Sequence, residues 1–224
     1  MLNIAKYIDQ TLLSQDATEK DIIAFCEEAL KYNFYAVCVN PCRVSAAADV
    51  LKNSDIKIAA VVGFPGGATF TEIKFKEAKQ CIKLGAHEID MVLNIGALKE
   101  RDLDFVYSEI EQFAALPAVL KVIIETGLLT DEEKALACKI AAEAGADYVK
   151  TSTGFTKNSK PATIEDVKLM YDSVSGMGVK VKASGGIKDY ETAIAMINAG
   201  ASRIGTSSGV EIINAGAAKT GEGY

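Results

Sequence analysis

AGADYVKT, residues 144–151, decides how this chain folds, because it holds a helix end, a turn and the start of a strand in one short stretch. Gly145 suits the left-handed conformation that closes a helix, and the chain then runs directly into the aromatic and β-branched residues of a strand. The same junction returns at LGAHEIDMV (84–92, with Gly85) and at AGASRIGT (199–206, with Gly200). Repetition of this junction puts the short turns on one side of a sheet and the longer Gly/Ser/Thr-rich loops on the other.

Outward from these junctions, short apolar runs alternate with segments whose apolar residues recur at helical spacing. The spacing predicts strands at 7–9, 36–39, 58–62, 88–92, 120–124, 148–150, 179–183 and 203–205. Each interval should hold one helix and two turns, the βα unit of a parallel sheet. Threonine followed three residues later by an acid marks four helix starts, at Thr18/Asp21, Thr69/Glu72, Thr130/Glu133 and Thr163/Asp166. Eight such units favour a closed (β/α)8 TIM barrel over an open doubly wound sheet, since no GxGxxG follows the first strand. One barrel domain over 1–224 with a short flexible C-terminal tail is expected, its function at the C-terminal ends of the strands.

Composition narrows the chemistry. The chain has 224 residues, is 49% hydrophobic and carries a net charge of −6 spread over mixed-sign faces, so a basic nucleic-acid surface is not expected. No apolar run is long enough for a bilayer, and the first ten residues lack the pattern of a signal peptide, so a cytoplasmic location without membrane contact is expected. Five scattered cysteines without a CxxC pair argue against a disulfide framework or a thiolate metal site. One histidine, His87, cannot supply the imidazole set of a zinc aldolase, and it precedes its strand; an exposed or locally bonded histidine is the expectation, with no metal and no cofactor.

Polar residues gather at the predicted strand ends: Asp9, Cys38, Asn40, Asp90, Asn94, Lys150 and Lys182. Such positions in a barrel are normally filled by Val, Ile and Leu, and buried charges need one another as partners. Two ammonium groups about 6 Å apart at an effective dielectric near 20 repel by roughly 2.8 kcal/mol, which lowers one lysine by about two pK units. The neutral amine so favoured is the form that attacks a carbonyl to make an imine. Lys180 lies two residues before Lys182, on the same strand face; Lys182 is preferred because it abuts the ASGG turn. Ser184, Gly185 and Gly186 after the seventh strand, with Gly205, Thr206, Ser207 and Ser208 at the eighth, offer backbone donors where barrels commonly hold a phosphate.

The segments IDQTLL, VCVNP, VVGFP, EIDMVLNIG, KVIIETG, DYVKTSTGF, VKASGGI and RIGTSSG, running in that order from residue 8 to 209, resemble the motif series of the deoxyribose-phosphate aldolases. That resemblance implies a barrel lyase that reversibly cleaves 2-deoxy-D-ribose 5-phosphate to acetaldehyde and D-glyceraldehyde 3-phosphate through a lysine imine. By position it implies Lys150 as the Schiff-base lysine and Asp90 with Lys182 as the proton-transfer pair. Asp9 would meet a substrate hydroxyl. Gly154, Gly185, Gly186, Ser207 and Ser208 would hold the phosphate, with Cys38, Asn40, Thr151 and Gly205 also lining the substrate. It further implies a homo-oligomer, a dimer, with small phosphorylated sugar and aldehyde substrates as partners. Some members of the family place a C-terminal tyrosine in the active site, which makes Tyr224 a candidate for proton exchange at the enamine carbon.

The chain departs from the family pattern at Gly66, where leucine is more common, and in STGFTKNSKPAT, where the roles of Phe155, Lys157 and Lys160 stay open. Two other functions fit the residues alone. One is a different imine-forming sugar-phosphate aldolase or transaldolase; the other is a barrel that binds a phosphorylated metabolite without turning it over. Phosphate binding alone does not explain Asp9 and Asp90 beside the lysines.

Overall fold

Asp9 lies beside Ala36 on one side and Gly205 on the other, and this double pairing of the first strand closes the sheet. The computed structural model describes residues 2–156 and 161–220. Eight parallel strands follow one another around the barrel in chain order: β1 (Ile8–Leu12), β2 (Ala36–Val39), β3 (Lys57–Val62), β4 (Glu88–Val92), β5 (Val119–Ile123), β6 (Tyr148–Lys150), β7 (Lys180–Ser184) and β8 (Ala201–Thr206). This is the (β/α)8 TIM barrel that the periodicity predicts, and β2, β4 and β6 coincide with the expected spans.

Around the strands lie α1 (Glu19–Tyr32), α2 (Val44–Leu51), α3 (Thr71–Lys83), α4 (Ile95–Lys99), α5 (Leu103–Ala114), α6 (Asp131–Glu143), α7 (Ile164–Ser173), α8 (Tyr190–Asn198) and α9 (Gly209–Thr220). The expectation of one helix per interval fails between β4 and β5, which are joined by α4 and α5. Arg101 takes a left-handed φ of 63°, which ends the first of them, and the Asp102 side chain accepts from the Phe105 N–H to start the second.

Full capping boxes form at Thr18/Asp21 and Thr130/Glu133. Thr163 accepts from the Asp166 N–H, but the Asp166 carboxylate turns to Lys134, 2.6 Å away, rather than back to the cap. The Thr69/Glu72 reading is corrected: α3 begins at Thr71 behind Phe70, and the Thr71 hydroxyl donates to Glu109 instead of capping. Glu109 also receives Lys74 at 2.9 Å in a fully buried pair, and Lys74 donates to the Val92 carbonyl at the end of β4. That clamp fixes α3 and α5 against the strand end that presents the site.

Gly85, Gly145 and Gly200 all have positive φ, as the repeated junction requires. The main apolar core lies between strands and helices, with Ile8, Val37, Ile89, Val122 and Val149 among its members. A much smaller apolar cluster of Leu13, Cys38, Ala59 and Val61 is backed by Phe64. Each of the other strands puts at least one charged residue inward: Asp9, Glu88, Asp90, Lys121, Lys150, Lys182 and Arg203. No helix among the described residues is long and apolar enough to cross a membrane.

Candidate active site

Strand register does most of the work of assembly. Asp90 stands opposite Lys121 across β4 and β5, and Lys150 stands opposite Lys182 across β6 and β7. Alternation along each strand turns all four side chains inward. Lys150 Nζ donates to Asp90 Oδ2 at 2.7 Å, and Lys182 Nζ donates to the same oxygen at 2.8 Å. The two ammonium groups thus converge as the sequence suggested. Lys180 is exposed at the start of β7, with its ammonium 5.8 Å from the centre of the Tyr148 ring, so Lys182 is the lysine that enters the barrel.

Three buried charges went unnoticed in the sequence. Lys121 binds Asp90 Oδ1 and Glu88 Oε2, each at 2.6 Å. Arg203 makes a two-pronged contact with Glu88, at 3.2 and 2.9 Å, and its Nε donates to Asp9 Oδ1 at 2.6 Å. Its guanidinium lies 3.7 Å from the centre of the Tyr35 ring. The signal was present as a charge inside each of EIDMV, LKVII and SRIG, but a charge near the start of a short strand usually reads as solvated. Asp9 is fully buried, and its second oxygen accepts from Lys182 at 2.5 Å. Its carboxylate therefore faces Lys182 and Arg203.

Burial pushes the Lys150 ammonium below the ordinary lysine range; Asp90 opposes this and Lys182 reinforces it. Desolvation thus outranks the lysine–lysine repulsion on which the sequence argument rested. Burial would lower Lys182 too, but Asp9 and Asp90 overcome it and hold that lysine charged. Burial works against ionisation of Asp90, yet Lys121, Lys150 and Lys182 together keep it well below the usual carboxylate range. The site therefore pairs a lysine inclined to lose its proton with a carboxylate held ionised. Cys38 Sγ lies 4.0 Å from Asp90 Oδ2, and burial, with Asp90, raises its thiol. It stands beside the site as an un-ionised group.

Of the predicted phosphate residues, Gly154 and Gly185 come together. Gly154, Gly185 and Gly186 all take left-handed φ angles, and a Cβ on Gly154 would lie 3.9 Å from the Gly185 Cα. Ser207 and Ser208 follow β8 at the entry to α9. Thr151 serves the frame: its hydroxyl donates to the Ser184 carbonyl at 2.8 Å and accepts from the Ser184 N–H at 2.9 Å. Gly205 lies within β8, where a Cβ would stand 2.9 Å from Ser184 Cβ and 3.1 Å from Lys182 Cε; its small size makes room for the lysine. Asn40 donates to the Leu13 carbonyl, and Asn94 caps α4 by accepting from the Ala97 N–H. Tyr224, Lys157 and Lys160 lie outside the described residues.

Two further side chains shape these loops. Gln10 points out of the barrel, accepts from the Gly209 N–H at 3.0 Å and donates to the Ser207 carbonyl at 3.4 Å. Glu125, buried with φ of 55°, accepts from the Thr153 N–H and hydroxyl at 3.1 and 2.5 Å, and so holds the turn that carries Gly154. Polar outward or loop residues like these have no sequence pattern that distinguishes them from surface. His87 is exposed and accepts from the Ile58 N–H through Nδ1, the local bond expected of it. No group of His, Cys, Asp and Glu among the described residues is arranged to hold a metal ion.

A closed parallel barrel with a buried lysine, a carboxylate and a second lysine at its C-terminal end has the build of a barrel aldolase. The chain belongs to the DeoC/LacD family of aldolases, whose profile matches residues 3–215. It is 56% identical over 216 residues to the deoxyribose-phosphate aldolase of Thermococcus kodakarensis, covering 94% of this chain and 95% of that protein. It is 55% identical over 225 residues to the deoxyribose-phosphate aldolase of Brevibacillus brevis, covering 100% of both. Among solved structures, the tetrameric deoxyribose phosphate aldolase of Aeropyrum pernix superimposes with a TM-score of 0.88 at 34% identity, covering 97% of this chain and 91% of that one.

Proposed function

We propose that the chain is a Schiff-base aldolase that reversibly cleaves 2-deoxy-D-ribose 5-phosphate to D-glyceraldehyde 3-phosphate and acetaldehyde, with Lys150 as nucleophile. The observation that carries this reading is the single oxygen, Asp90 Oδ2, shared by Lys150 at 2.7 Å and Lys182 at 2.8 Å. Neutral Lys150 adds to the aldehyde carbon of the open-chain sugar, and loss of water gives a protonated imine that draws electrons from the neighbouring carbon. Removal of the 3-hydroxyl proton then breaks the C2–C3 bond, which releases D-glyceraldehyde 3-phosphate and leaves an enamine on Lys150. Protonation of the enamine carbon and hydrolysis return acetaldehyde and the free amine. Asp90, ionised and in contact with Lys150, accepts and returns protons in these steps, directly or through a water, with Lys182 as its charged partner.

Sodium borohydride added with acetaldehyde is expected to attach a two-carbon group to Lys150, read by peptide mapping. A label on another residue, or none, defeats the assignment. Dihydroxyacetone donors, offered in place of acetaldehyde, separate this reading from a transaldolase.

The sugar phosphate lies against Gly154, Gly185, Gly186, Ser207 and Ser208 in this reading, with Cys38 and Asn40 at the wall. Gln10 holds the last of these loops through the Gly209 N–H. Leaving a buried N–H without a partner costs about 1–3 kcal/mol. Gln10→Ala is therefore expected to raise KM for 2-deoxyribose 5-phosphate about tenfold while deuterium exchange into acetaldehyde keeps its rate. Equal changes in both would mean that Gln10 serves the barrel as a whole. The reading extends to a single barrel domain, a cytoplasmic homo-oligomer, chemistry without a cofactor, and Tyr224 as a visitor to the site.

A further inference from the structure

The inward side chains of the barrel do not balance in charge. Asp9, Glu88 and Asp90 are three carboxylates; Lys121, Lys150, Lys182 and Arg203 are four bases, and all seven are at least 96% buried. Each of the three bases other than Lys150 has at least two carboxylates, and Lys121 also lies 4.0 Å from Asp9. Arg203 is bonded to Asp9 and Glu88, Lys121 to Glu88 and Asp90, and Lys182 to Asp9 and Asp90. Among the described residues Lys150 has only Asp90, through an oxygen already taken by Lys182.

A dry interior penalises an excess charge, and the base with the poorest supply of carboxylates is the one that gives up its proton. We propose that Lys121 and Glu88, packed beneath the reacting groups, are positioning residues that set this charge count and so keep Lys150 in its neutral, nucleophilic form. The inference rests on Lys150 as the imine-forming lysine.

The groups that face Lys150 are few. Among the described residues Asp90 comes from β4, Lys182 from β7 and Cys38 from β2, while Lys121 on β5 lies against the other oxygen of Asp90 and Asp9 on β1 lies behind Lys182. Arg203 on β8 and Glu88 on β4 lie one layer deeper, and β3 contributes only Ala59 and Val61 to the apolar wall. Glu125, in the loop after β5, gives one oxygen to Thr153, while its other oxygen is buried without a hydrogen-bond partner among the described residues. The lowered Lys150 and the raised Lys121 and Lys182 agree with the geometric count.

The test is the sign of a pH shift, not a loss of activity. Lys121→Met leaves three bases for three carboxylates, so Lys150 keeps its proton and the acid limb of the kcat/KM profile should move up by about one pH unit. Glu88→Gln leaves four bases for two carboxylates, so the same limb should move down by a comparable amount. The double variant Lys121→Met/Glu88→Gln restores an excess of one base, and its acid limb should return close to that of the parent. The pH dependence of borohydride trapping with acetaldehyde gives a second readout of the same equilibrium.

Opposite shifts in the single variants that cancel in the double variant support the proposal. Shifts of the same sign, no shift, or a double variant displaced further than either single one would overturn it. If Lys121→Met does not fold, the downward shift in Glu88→Gln and its reversal in the double variant decide the matter, and absence of that shift overturns it. A parent enzyme that cannot be trapped at Lys150 sinks the proposed function itself; a parent that traps normally while the limb stays fixed in Glu88→Gln sinks only this charge count.

Discussion

Lys182→Leu is expected to lower kcat/KM for 2-deoxyribose 5-phosphate by about a thousandfold, the scale of a lost proton-transfer partner. Lys182 joins Asp9 and Asp90, at 2.5 and 2.8 Å, so leucine removes the cation between the two carboxylates. The same change removes one base from a site that has one in excess, so Lys150 keeps its proton to higher pH. The acid limb of the profile should therefore move upward, and raising the pH should recover part of the lost rate. Steady-state rates across pH measure both effects. An unchanged profile, with the defect appearing in Lys180→Leu instead, would assign the role to the wrong lysine.

Asp90→Asn should be at least as damaging, for a different reason. Asparagine keeps the shape but cannot act as the carboxylate that Lys121, Lys150 and Lys182 contact at 2.6, 2.7 and 2.8 Å. With one anion fewer, Lys150 is neutral over a wider range, so the acid limb should move down while the plateau falls by about a thousandfold. Loss of rate with a more available nucleophile would separate proton transfer from amine ionisation. An upward shift, or a plateau within tenfold of the parent, would count against Asp90 as the proton carrier.

The variant also carries a stability signature. Removing one partner from a buried ionic network typically costs about 3–5 kcal/mol. Asp90 is depressed in the folded state, so its contribution is fully present above the unfolded-state carboxyl value of about 3.9 and is lost as pH falls through the lower folded value. The gap in urea stability between parent and Asp90→Asn should therefore be widest near neutral pH, begin to narrow below pH ~4 and close only as pH falls through the lower folded value.

Much of the architecture was legible because it depends on local, periodic features. Glycines at 85, 145 and 200 stop helices, β-branched runs begin strands, and eight repeats of that unit leave a closed barrel as the simplest parallel solution. Local signals failed where a side chain had two possible partners. Thr71 gave its hydroxyl to Glu109, a helix away, and α3 started at Thr71 rather than from Thr69. Asp102 opened a second helix between β4 and β5 that the average spacing of the repeat had hidden.

The sequence by itself determined the barrel, the family motifs and the residues Asp9, Asp90 and Lys150, because each falls in a strand whose position follows from periodicity; it preferred Lys182 to Lys180 without deciding between them. Tertiary structure alone decided that Lys182 and not Lys180 enters the barrel, that Asp9 faces Lys182 and Arg203, and that Lys121, Glu88 and Arg203 lie buried beneath the site. The physical reason is closure. Alternation in one strand says only that a side chain points to one face, whereas the partners of a buried charge come from neighbouring strands whose register is set when β8 pairs with β1.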